Sequence, residues 1–542
     1  MKWFLLLLLL PLLLYRCNGH SAGIPEPVPR DTTITPAQAV TQLVLDSIYV
    51  ERFIKNGRLA ENEVVRLRNF YNNRNYQFAW FTEDGLAEQA RAFWNLHEQF
   101  VDYSRDSSFV DQHLHTTMDT LVAGDSVENL PGIDIRQTEL QLTQHFFVYA
   151  QYAYGGKVDP TELQWHIPRR KVDAVALLDS LVARKGKNLE EWEPVNRGYR
   201  RLKGKLLELY DLQKKGGWKV LQLDRKKYQQ GDSGKFVAAL KQRLADWGDL
   251  ERGDTSRKFT AATKRAVQQA QRRFGLKEDG VVGKDVVGAL NVPLERRIEQ
   301  VLINLERMRW LPPQAEGKRL LANIPDFRLH VFDSAGKVMD MKIVVGKAGT
   351  TTVVFNGELK YVVFAPYWNV PPSIVKNEIL PAMRRRPGYL ARNNMEITGR
   401  ENGLPVIRQK PGYNNSLGLV KFLFPNSYNI YFHDTPAKTL FDQEKRTFSH
   451  GCIRLEQPFE LAQWLLKDRG GWADSSILEA MHGPKEKWVT LAQPVPVFVS
   501  YFTAWVDGEG LLHFREDVYG HDRKMAMRMF EGIEVKEEGI RN

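Results

Sequence analysis

The stretch YNIYFHDTPAKTLFDQEKRTFSHGCIR, residues 428–454, carries two histidines and a cysteine around a loop. Residues Tyr428 to Phe432 are rich in aromatic and β-branched types and predict a short strand that ends at His433. Fifteen residues separate His433 from Ser449, so the loop is long enough to fold back and bring Cys452 toward His433. A thiolate formed beside an imidazole is a far better nucleophile than an isolated thiol. We therefore expect the chemistry of this chain at Cys452.

The first residues are typical of an export signal. In residues 1–22, Lys2 precedes the apolar run Phe4–Leu14, and small or polar residues follow. The run is shorter than the roughly 20 apolar residues of an ordinary membrane span, so we expect a signal peptide that is removed. Its removal leaves Cys452 as the one cysteine, without an internal disulfide partner. A retained anchor and lipidation at Cys17 are the alternatives, and either would tether the protein to a membrane.

Composition predicts a multidomain globular protein. The chain has 542 residues, of which 43% are hydrophobic and 11% aromatic, enough for three ordinary domains. The net charge of +11 is spread among many acids, and local basic runs such as Arg384–Arg386 are typical of solvated faces. The sequence contains no phosphate-binding GxxxxGK[ST] loop, no CxxC pair and no RNA-binding signature. We therefore expect no nucleic-acid partner, no metal and no cofactor.

Residues 24–217 alternate apolar and charged residues at helical spacing and predict a helical scaffold domain. The charged residues there show no pairing that would identify a functional site, so we interpret this domain as structural or docking. Residues 228–291 are more informative, because apolar positions three or four apart predict short helices separated by glycine turns. This pattern resembles the peptidoglycan-binding domain of cell-wall enzymes and implies a small three-helix bundle. A spacer without glycan affinity is the alternative.

Downstream, residues 294–318 predict a charged helical connector, and from residue 319 to 510 the composition shifts toward short strands. The turn residues Asp333 to Lys337 predict a hairpin between two of these strands. The fold class is therefore multidomain α+β, with residues 511–542 as a C-terminal tail. Residues 373–400, partly helical in period and strongly basic, form an insertion that predicts either a lid over the site or a surface embellishment.

Attack by sulfur on a carbonyl requires a base, a group that orients the base, and donors for the developing oxyanion. Gly451 allows close approach of the backbone, so the amides near Gly451 and Cys452 are candidate donors. Two alternatives remain for these residues. His433, Asp434, His450 and Cys452 are also zinc-ligand types, although the usual paired spacing is missing. An inert buried cysteine is the second alternative.

His433, a loop of suitable length and then Ser449-His450-Gly451-Cys452 closely resemble the active-site motif of the L,D-transpeptidases. The resemblance extends to Pro366–Pro372 and to the order of helical, peptidoglycan-binding and catalytic parts. It implies Cys452 as nucleophile, His433 as proton acceptor and the backbone carbonyl of Asp434 as the group that orients His433. His450 would shape and polarise the site.

The same resemblance implies substrate contacts. The expected substrate-binding residues are Arg454, Ser449, Tyr431 and Trp368. Arg454 stands where some members of the family carry asparagine, although arginine is familiar in Gram-negative ones. It would either hold the loop or bind a substrate carboxylate, and the sequence leaves both open.

The implied activity is acyl transfer on peptidoglycan stem peptides through a thioester on Cys452, giving 3-3 cross-links in cell-wall biogenesis and cell shape. The implied location is the periplasm, and the implied partners are stem peptides and glycan strands, with other wall-synthesis enzymes as further candidates. Hydrolysis of the same stems, as an L,D-carboxypeptidase or endopeptidase, is the first alternative. An inactive glycan-binding scaffold is the second.

Overall fold

A computed structural model describes residues 41–57, 59–124, 133–163, 165–167, 170–311 and 317–530. The predicted signal peptide and Cys17 lie outside these residues. The chain divides into two compact units. The first runs to Gln151 and includes Asp173–Glu193, and the second consists of Tyr152–Val172 and the chain from Pro194 onward. Within the described part of the chain, no helix combines the length and apolar character that crossing a membrane requires.

The first unit is helical around an aromatic core, as predicted. Its helices are α1 (Ser47–Gly57), α2 (Glu61–Asn73), α3 (Glu88–Ser104), α4 (Gln112–Ala123), α5 (Ile135–Ala150), α6 (Ala174–Ala183) and α7 (Leu189–Trp192), with a small hairpin of β1 (Phe81–Thr82) and β2 (Gly85–Leu86). Asp134 caps α5 by accepting the amide hydrogen of Arg136 at 2.9 Å. The carboxyl of Glu139 is buried and accepts the Trp80 amide hydrogen at 2.9 Å. These contacts fix α5 in the centre of the unit.

The second unit begins with helices. They are α8 (Arg197–Lys214), α9 (Lys235–Asp246), α10 (Ala261–Phe274), α11 (Lys284–Leu290) and α12 (Leu294–Arg309). Helices α9 to α11 form the predicted three-helix bundle, with Val237, Leu240 and Leu290 buried on their inner faces. Gly275 ends α10 with φ 67°, a left-handed conformation that favours glycine.

Helix α12 lies within the predicted charged helical connector, and twelve of its sixteen residues are buried. Its charges tolerate burial because they are paired. Arg309 binds Glu306 at 2.5 Å, and Arg307 binds Asp522 at 2.6 Å. Part of the predicted C-terminal tail is therefore structured, since Asp522 belongs to a helix that packs against α12.

The region that is predicted to be catalytic contains a nine-stranded sheet. Its strands are β3 (Arg319–Asn323), β4 (Arg328–Asp333), β5 (Gly336–Gly346), β6 (Phe355–Phe364), β10 (Val420–Leu423), β11 (Phe432–His433), β12 (Thr447–Ser449), β13 (Ile453–Leu455) and β14 (Lys487–Ser500). The order is β12-β5-β13-β11-β10-β6-β14-β3-β4, and β4 also pairs with β5, so the order returns to β5. The predicted hairpin joins β4 to β5, with Asp333 opposite Gly336.

One face of this sheet forms the main apolar core with α16 (Pro458–Leu466) and α17 (Asp474–Met481). The chain then ends in a hairpin of β15 (Ala504–Val506) and β16 (Leu512–Phe514), followed by α18 (His521–Met529), the helix that contains Asp522.

Between β6 and β10 lies the predicted insertion. It contains β7 (Trp368–Asn369), α13 (Pro372–Ile374), a π-helix (Val375–Ile379), α14 (Leu380–Arg385), α15 (Tyr389–Arg392), β8 (Met395–Glu401) and β9 (Leu404–Gln409). The three strands form their own sheet in the order β7-β9-β8. The insertion also has its own small core around Val375, Ile379 and Ile407. It is therefore a helix-and-sheet subdomain, where the sequence predicts a partly helical insertion over residues 373–400.

Segment Tyr152–Val172 belongs to the second unit and reaches its sheet. The His166 amide donates to the Val354 carbonyl at 3.0 Å, next to the start of β6. The His166 ring stacks on Tyr428, with ring centroids 4.5 Å apart. A segment from the first half of the chain thus packs against a sheet whose strands all come from the second half.

Candidate active site

Strands β11 and β13 are parallel neighbours, with Phe432 opposite Ile453 and His433 opposite Arg454. Phe432 and Ile453 are fully buried in the main core. Because side chains alternate along a strand, His433 and Arg454 lie on the other face of the sheet. Tyr431 and Cys452 each precede these residues by two positions, so they share that face. The register thus gathers four of the predicted site residues on one face of two adjacent strands.

His433 is held in one tautomer. Its side chain is buried, and its Nδ1 lies 2.5 Å from the carbonyl oxygen of Asp434. A carbonyl only accepts, so Nδ1–H must donate, which leaves Nε2 as the acceptor for a proton. This is the orienting contact that the resemblance implies for the Asp434 carbonyl.

The side-chain carboxylate of Asp434 makes contacts of its own, which the sequence did not reveal. It accepts the Leu419 amide hydrogen at 2.8 Å and pairs with Lys438 at 2.7 Å. Gly418 has φ 62°, and a Cβ there would overlap this carboxylate. Asp434 therefore ties the end of β11 to the turn before β10, which fixes the carbonyl that orients His433.

The loop before Cys452 is shaped by hydroxyl groups. The Ser449 hydroxyl donates to the Cys452 carbonyl at 2.6 Å and accepts the Gly451 amide hydrogen at 3.1 Å. The Thr352 hydroxyl donates to the Gly451 carbonyl at 2.8 Å. Gly451 has φ 118°, a value that a side chain would strain. The loop conformation thus depends on glycine and on two buried hydroxyls.

These contacts bear on two predicted roles. Ser449 is only 2% exposed and its hydroxyl serves the loop, whereas the sequence predicts a substrate contact for it. The Gly451 amide, a predicted oxyanion donor, is bonded to Ser449. The Cys452 amide hydrogen, by contrast, has no bonded partner within the described residues, so it is the donor that remains for an oxyanion.

The Cys452 sulfur itself donates to the Asn429 carbonyl at 3.5 Å. Tyr431 lies beside it, and the Tyr431 ring centroid is 5.8 Å from that of His433. The thiol therefore lies against the segment that leads into β11, the strand that carries His433.

Comparison with known proteins assigns this region. Residues 317–491, which contain the whole site, match the family described as "L,D-transpeptidase catalytic domain". The chain contains an L,D-transpeptidase catalytic domain. Residues 65–206 match a scaffold domain, and residues 233–290 match a family described as "Putative peptidoglycan binding domain". The predicted order of helical, peptidoglycan-binding and catalytic parts is thereby confirmed.

The chain is also similar to individual known proteins. A Haemophilus influenzae protein named "Putative L,D-transpeptidase" is 30% identical over 245 residues, which is 42% of this chain and 49% of that protein. The match thus spans about half the length of the relative. The solved L,D-transpeptidase of Xylanimonas cellulosilytica is 17% identical, with 52% of this chain and 100% of that chain covered and a TM-score of 0.18. That of Stackebrandtia nassauensis is 14% identical, with 50% and 94% covered and a TM-score of 0.21.

Burial sets the protonation of the two central groups in this L,D-transpeptidase domain. Burial raises the pKa of the Cys452 thiol. It lowers the pKa of His433 to about 3, with the nearby positive charge of Arg454 as the second cause. Both shifts favour the neutral forms of these groups, a thiol and a neutral imidazole, whereas the sequence predicts a thiolate beside the imidazole.

Arg454 places a positive charge beside this neutral pair. No carboxylate of the described part of the chain acts on its guanidinium, and its buried Nε has no hydrogen-bond partner there. Burial lowers the pKa of Arg454. An unpaired, partly buried guanidinium is well suited to bind an incoming carboxylate.

His450 connects the loop before Cys452 with the insertion. Its Nε2 lies 2.8 Å from a carboxylate oxygen of Glu378, which belongs to the π-helix of the insertion. Sequence reasoning missed Glu378, because nothing in its neighbourhood distinguishes it from other surface acids.

Trp368, a predicted substrate contact, lies in the insertion. It pairs with Gln409 in the small sheet and packs against the core of the insertion. Within the described contacts, nothing joins it to Cys452. Among the residues that the structure describes, no group of three or more His, Cys, Asp or Glu side chains is arranged to hold a metal ion.

Proposed function

We propose that this protein is an exported L,D-transpeptidase that forms 3-3 cross-links between peptidoglycan stems through a thioester on Cys452. The observation that carries the proposal is the register of β11 and β13, which gathers Cys452, His433, Tyr431 and Arg454 on one sheet face. The catalytic and peptidoglycan-binding matches supply the substrate class. A location in the periplasm, where peptidoglycan lies, follows from that substrate.

In the first half-reaction, the Cys452 sulfur attacks the carbonyl carbon of the third stem residue as its proton passes to Nε2 of His433. The Nδ1–H bond to the Asp434 carbonyl stabilises the imidazolium that forms. The Cys452 amide donates to the carbonyl oxygen as it becomes negative. The bond to the terminal D-alanine then breaks, and the departing amine takes the proton from His433. A thioester remains.

In the second half-reaction, the side-chain amine of another stem attacks the thioester carbon and loses a proton to His433. A new amide bond forms as the carbon–sulfur bond breaks, and the proton returns to the sulfur. Arg454 binds a carboxylate of the stem in both steps, since its guanidinium is otherwise unpaired. Water in place of the amine would give hydrolysis, which is the competing outcome at the same site.

The test is incubation of purified protein with disaccharide-tetrapeptide muropeptides, followed by mass spectrometry. We expect 3-3 dimers and released D-alanine. Tripeptides without dimers would show hydrolysis instead, and binding without turnover would show a scaffold. Cys452→Ala should abolish turnover with an unchanged thermal transition. His433→Ala should lose about 10² to 10⁴ in rate, the usual worth of general-base assistance.

A further inference from the structure

The face of the sheet that carries the catalytic residues extends well beyond them. His433 on β11 is opposite Lys421 on β10, and Lys421 is opposite Val363 on β6. Val363 is in turn opposite Trp488 at the start of β14. Because paired residues on neighbouring strands point to the same side, Arg454, His433, Lys421, Val363 and Trp488 form one transverse row.

The outer end of this row is an exposed aromatic pair. Trp488 is 53% exposed, and the ring of Tyr361 meets it edge-on at 5.7 Å. Tyr361 is opposite Thr490, the next position on this face of β14, which is also exposed. Twelve large hydrophobic side chains of the described residues are exposed, and only three are aromatic: Tyr413, Phe448 and Trp488. All three lie within residues 317–491, so exposed aromatic side chains of the described residues are confined to the region of the catalytic match.

The indole of Trp488 is fixed in place. Its Nε1 donates to one oxygen of Glu486 at 2.8 Å. The other oxygen of Glu486 accepts from the Lys421 ammonium at 3.1 Å and from the Tyr367 amide at 3.0 Å. The Lys421 ammonium also lies 5.5 Å from the centre of the Trp488 ring. One carboxylate thus joins the exposed indole to the residue that faces His433, so the ring loses little freedom when it binds a ligand.

We propose that Trp488 and Tyr361 form a sugar-binding subsite for the glycan strand to which the reacting stem is attached. A hexosamine ring has an apolar C–H face and a polar rim. The face of an indole carries the negative part of the aromatic quadrupole, so it attracts C–H groups that are slightly positive. The ring edge of Tyr361 and the exposed hydroxyl of Thr490 flank that indole. This inference deepens the proposed function and rests on it for the identity of the glycan.

The separation fits such a ligand. Measured along the curved sheet, four strand spacings of about 4.8 Å separate β13, the strand that begins directly after Cys452, from Trp488, a path of about 19 Å. Three stem residues in an extended conformation reach about 11 Å from the attacked carbonyl. The ether linkage and the sugar ring cover roughly the length of two further residues, about 7 Å. A stem whose third carbonyl lies at Cys452 therefore brings its own sugar to the aromatic pair.

The test compares two donor substrates in the full chain: a disaccharide-tetrapeptide and the same tetrapeptide without sugars. For Trp488→Ala we expect a roughly threefold to tenfold loss of kcat/KM with the disaccharide substrate, the range of one aromatic contact, and no change with the free tetrapeptide. Trp488→Phe should retain most of the activity. Tyr413→Ala is the matched control, since it removes another exposed aromatic outside the row, and it should leave both substrates unaffected.

Equal losses for both substrates would overturn the subsite and give Trp488 a role in the sheet alone. No loss for either substrate would also overturn it. A loss in Tyr413→Ala that matches Trp488→Ala would point to a general surface effect and would refute the specific assignment. To separate this inference from the proposed function, binding of stem-free glycan oligosaccharides to Cys452→Ala and to Cys452→Ala with Trp488→Ala is measured by calorimetry. A weaker second titration supports the subsite even if neither substrate is turned over, and equal titrations overturn it.

Discussion

The lowered pKa of His433 predicts an unusual dependence of activity on acidity. A general base must be neutral, and an imidazole with its ordinary pKa near 6.5 is only about 3% neutral at pH 5. The His433 pKa is lowered to about 3, so the ring stays almost wholly neutral at pH 5. The difference between the two cases is about 30-fold in rate at pH 5. We therefore expect acylation to proceed at pH 5 almost as fast as at pH 7.

The assay measures the second-order rate constant for acylation of Cys452 by a carbapenem, from the loss of absorbance, at pH values from 3.5 to 8. The acid limb of this pH profile reports the pKa of the base in the free enzyme. Samples returned to pH 7 before the reaction control for irreversible loss of structure. Arg454→Gln removes the second cause of the low pKa, so it should move the acid limb to higher pH whatever its effect on the plateau.

An acid limb centred near pH 6.5 in the parent protein would refute the reasoning, because His433 would then be as solvated as a surface histidine. A limb that does not move in Arg454→Gln would leave burial as the entire cause. The stated contribution of the guanidinium would then be wrong.

Two further predictions concern stability. Burial lowers the pKa of His145 to about 3 in the first unit, so the unfolded chain binds more protons between that value and pH 6.5. The free energy of unfolding should therefore fall by about 2 kcal/mol from pH 7.5 to 5. Urea titrations at several pH values should find a smaller dependence of this free energy on pH in His145→Phe. An identical dependence on pH in the variant would exclude His145 as its source. Gly418→Ala should destabilise the second unit by about 3 kcal/mol and slow acylation strongly, because the new Cβ overlaps Asp434 at a positive φ. A melting temperature equal to that of the parent would contradict this packing argument.

Much of the architecture could be predicted from local pattern. The β4–β5 hairpin follows from turn residues at fixed positions, and the bundle of α9 to α11 follows from apolar spacing and glycine stops. The mutual placement of Cys452 and His433 depends on one motif and one loop length, both visible in the sequence. These features are local, so a single stretch of chain contains the information that specifies them.

The features that the sequence did not reveal have long-range causes. Helix α12 is rich in charged residues, and only its partners in the fold explain why Arg307 and Glu306 are buried. The exposed strand β8 shows no alternation that would have predicted the small sheet of the insertion. The Glu378 contact with His450 joins residues that are far apart in the chain and have no shared pattern. The same holds for the role of Ser449, which depends on hydrogen bonds within a folded loop.

The placement of segment Tyr152–Val172 has a practical consequence for anyone who wishes to produce the catalytic part alone. A fragment cut at the limits of recognisable homology, residues 317–491, would lack the backbone bridge from His166 to the start of β6 and the stacked ring on Tyr428. It would also lack α12, and the apolar surface that α12 covers would become exposed and favour aggregation. We therefore expect the smallest piece that folds by itself to be larger than residues 317–491, and residues near 160 can reach their partners on the sheet only after those near 430 have been synthesised.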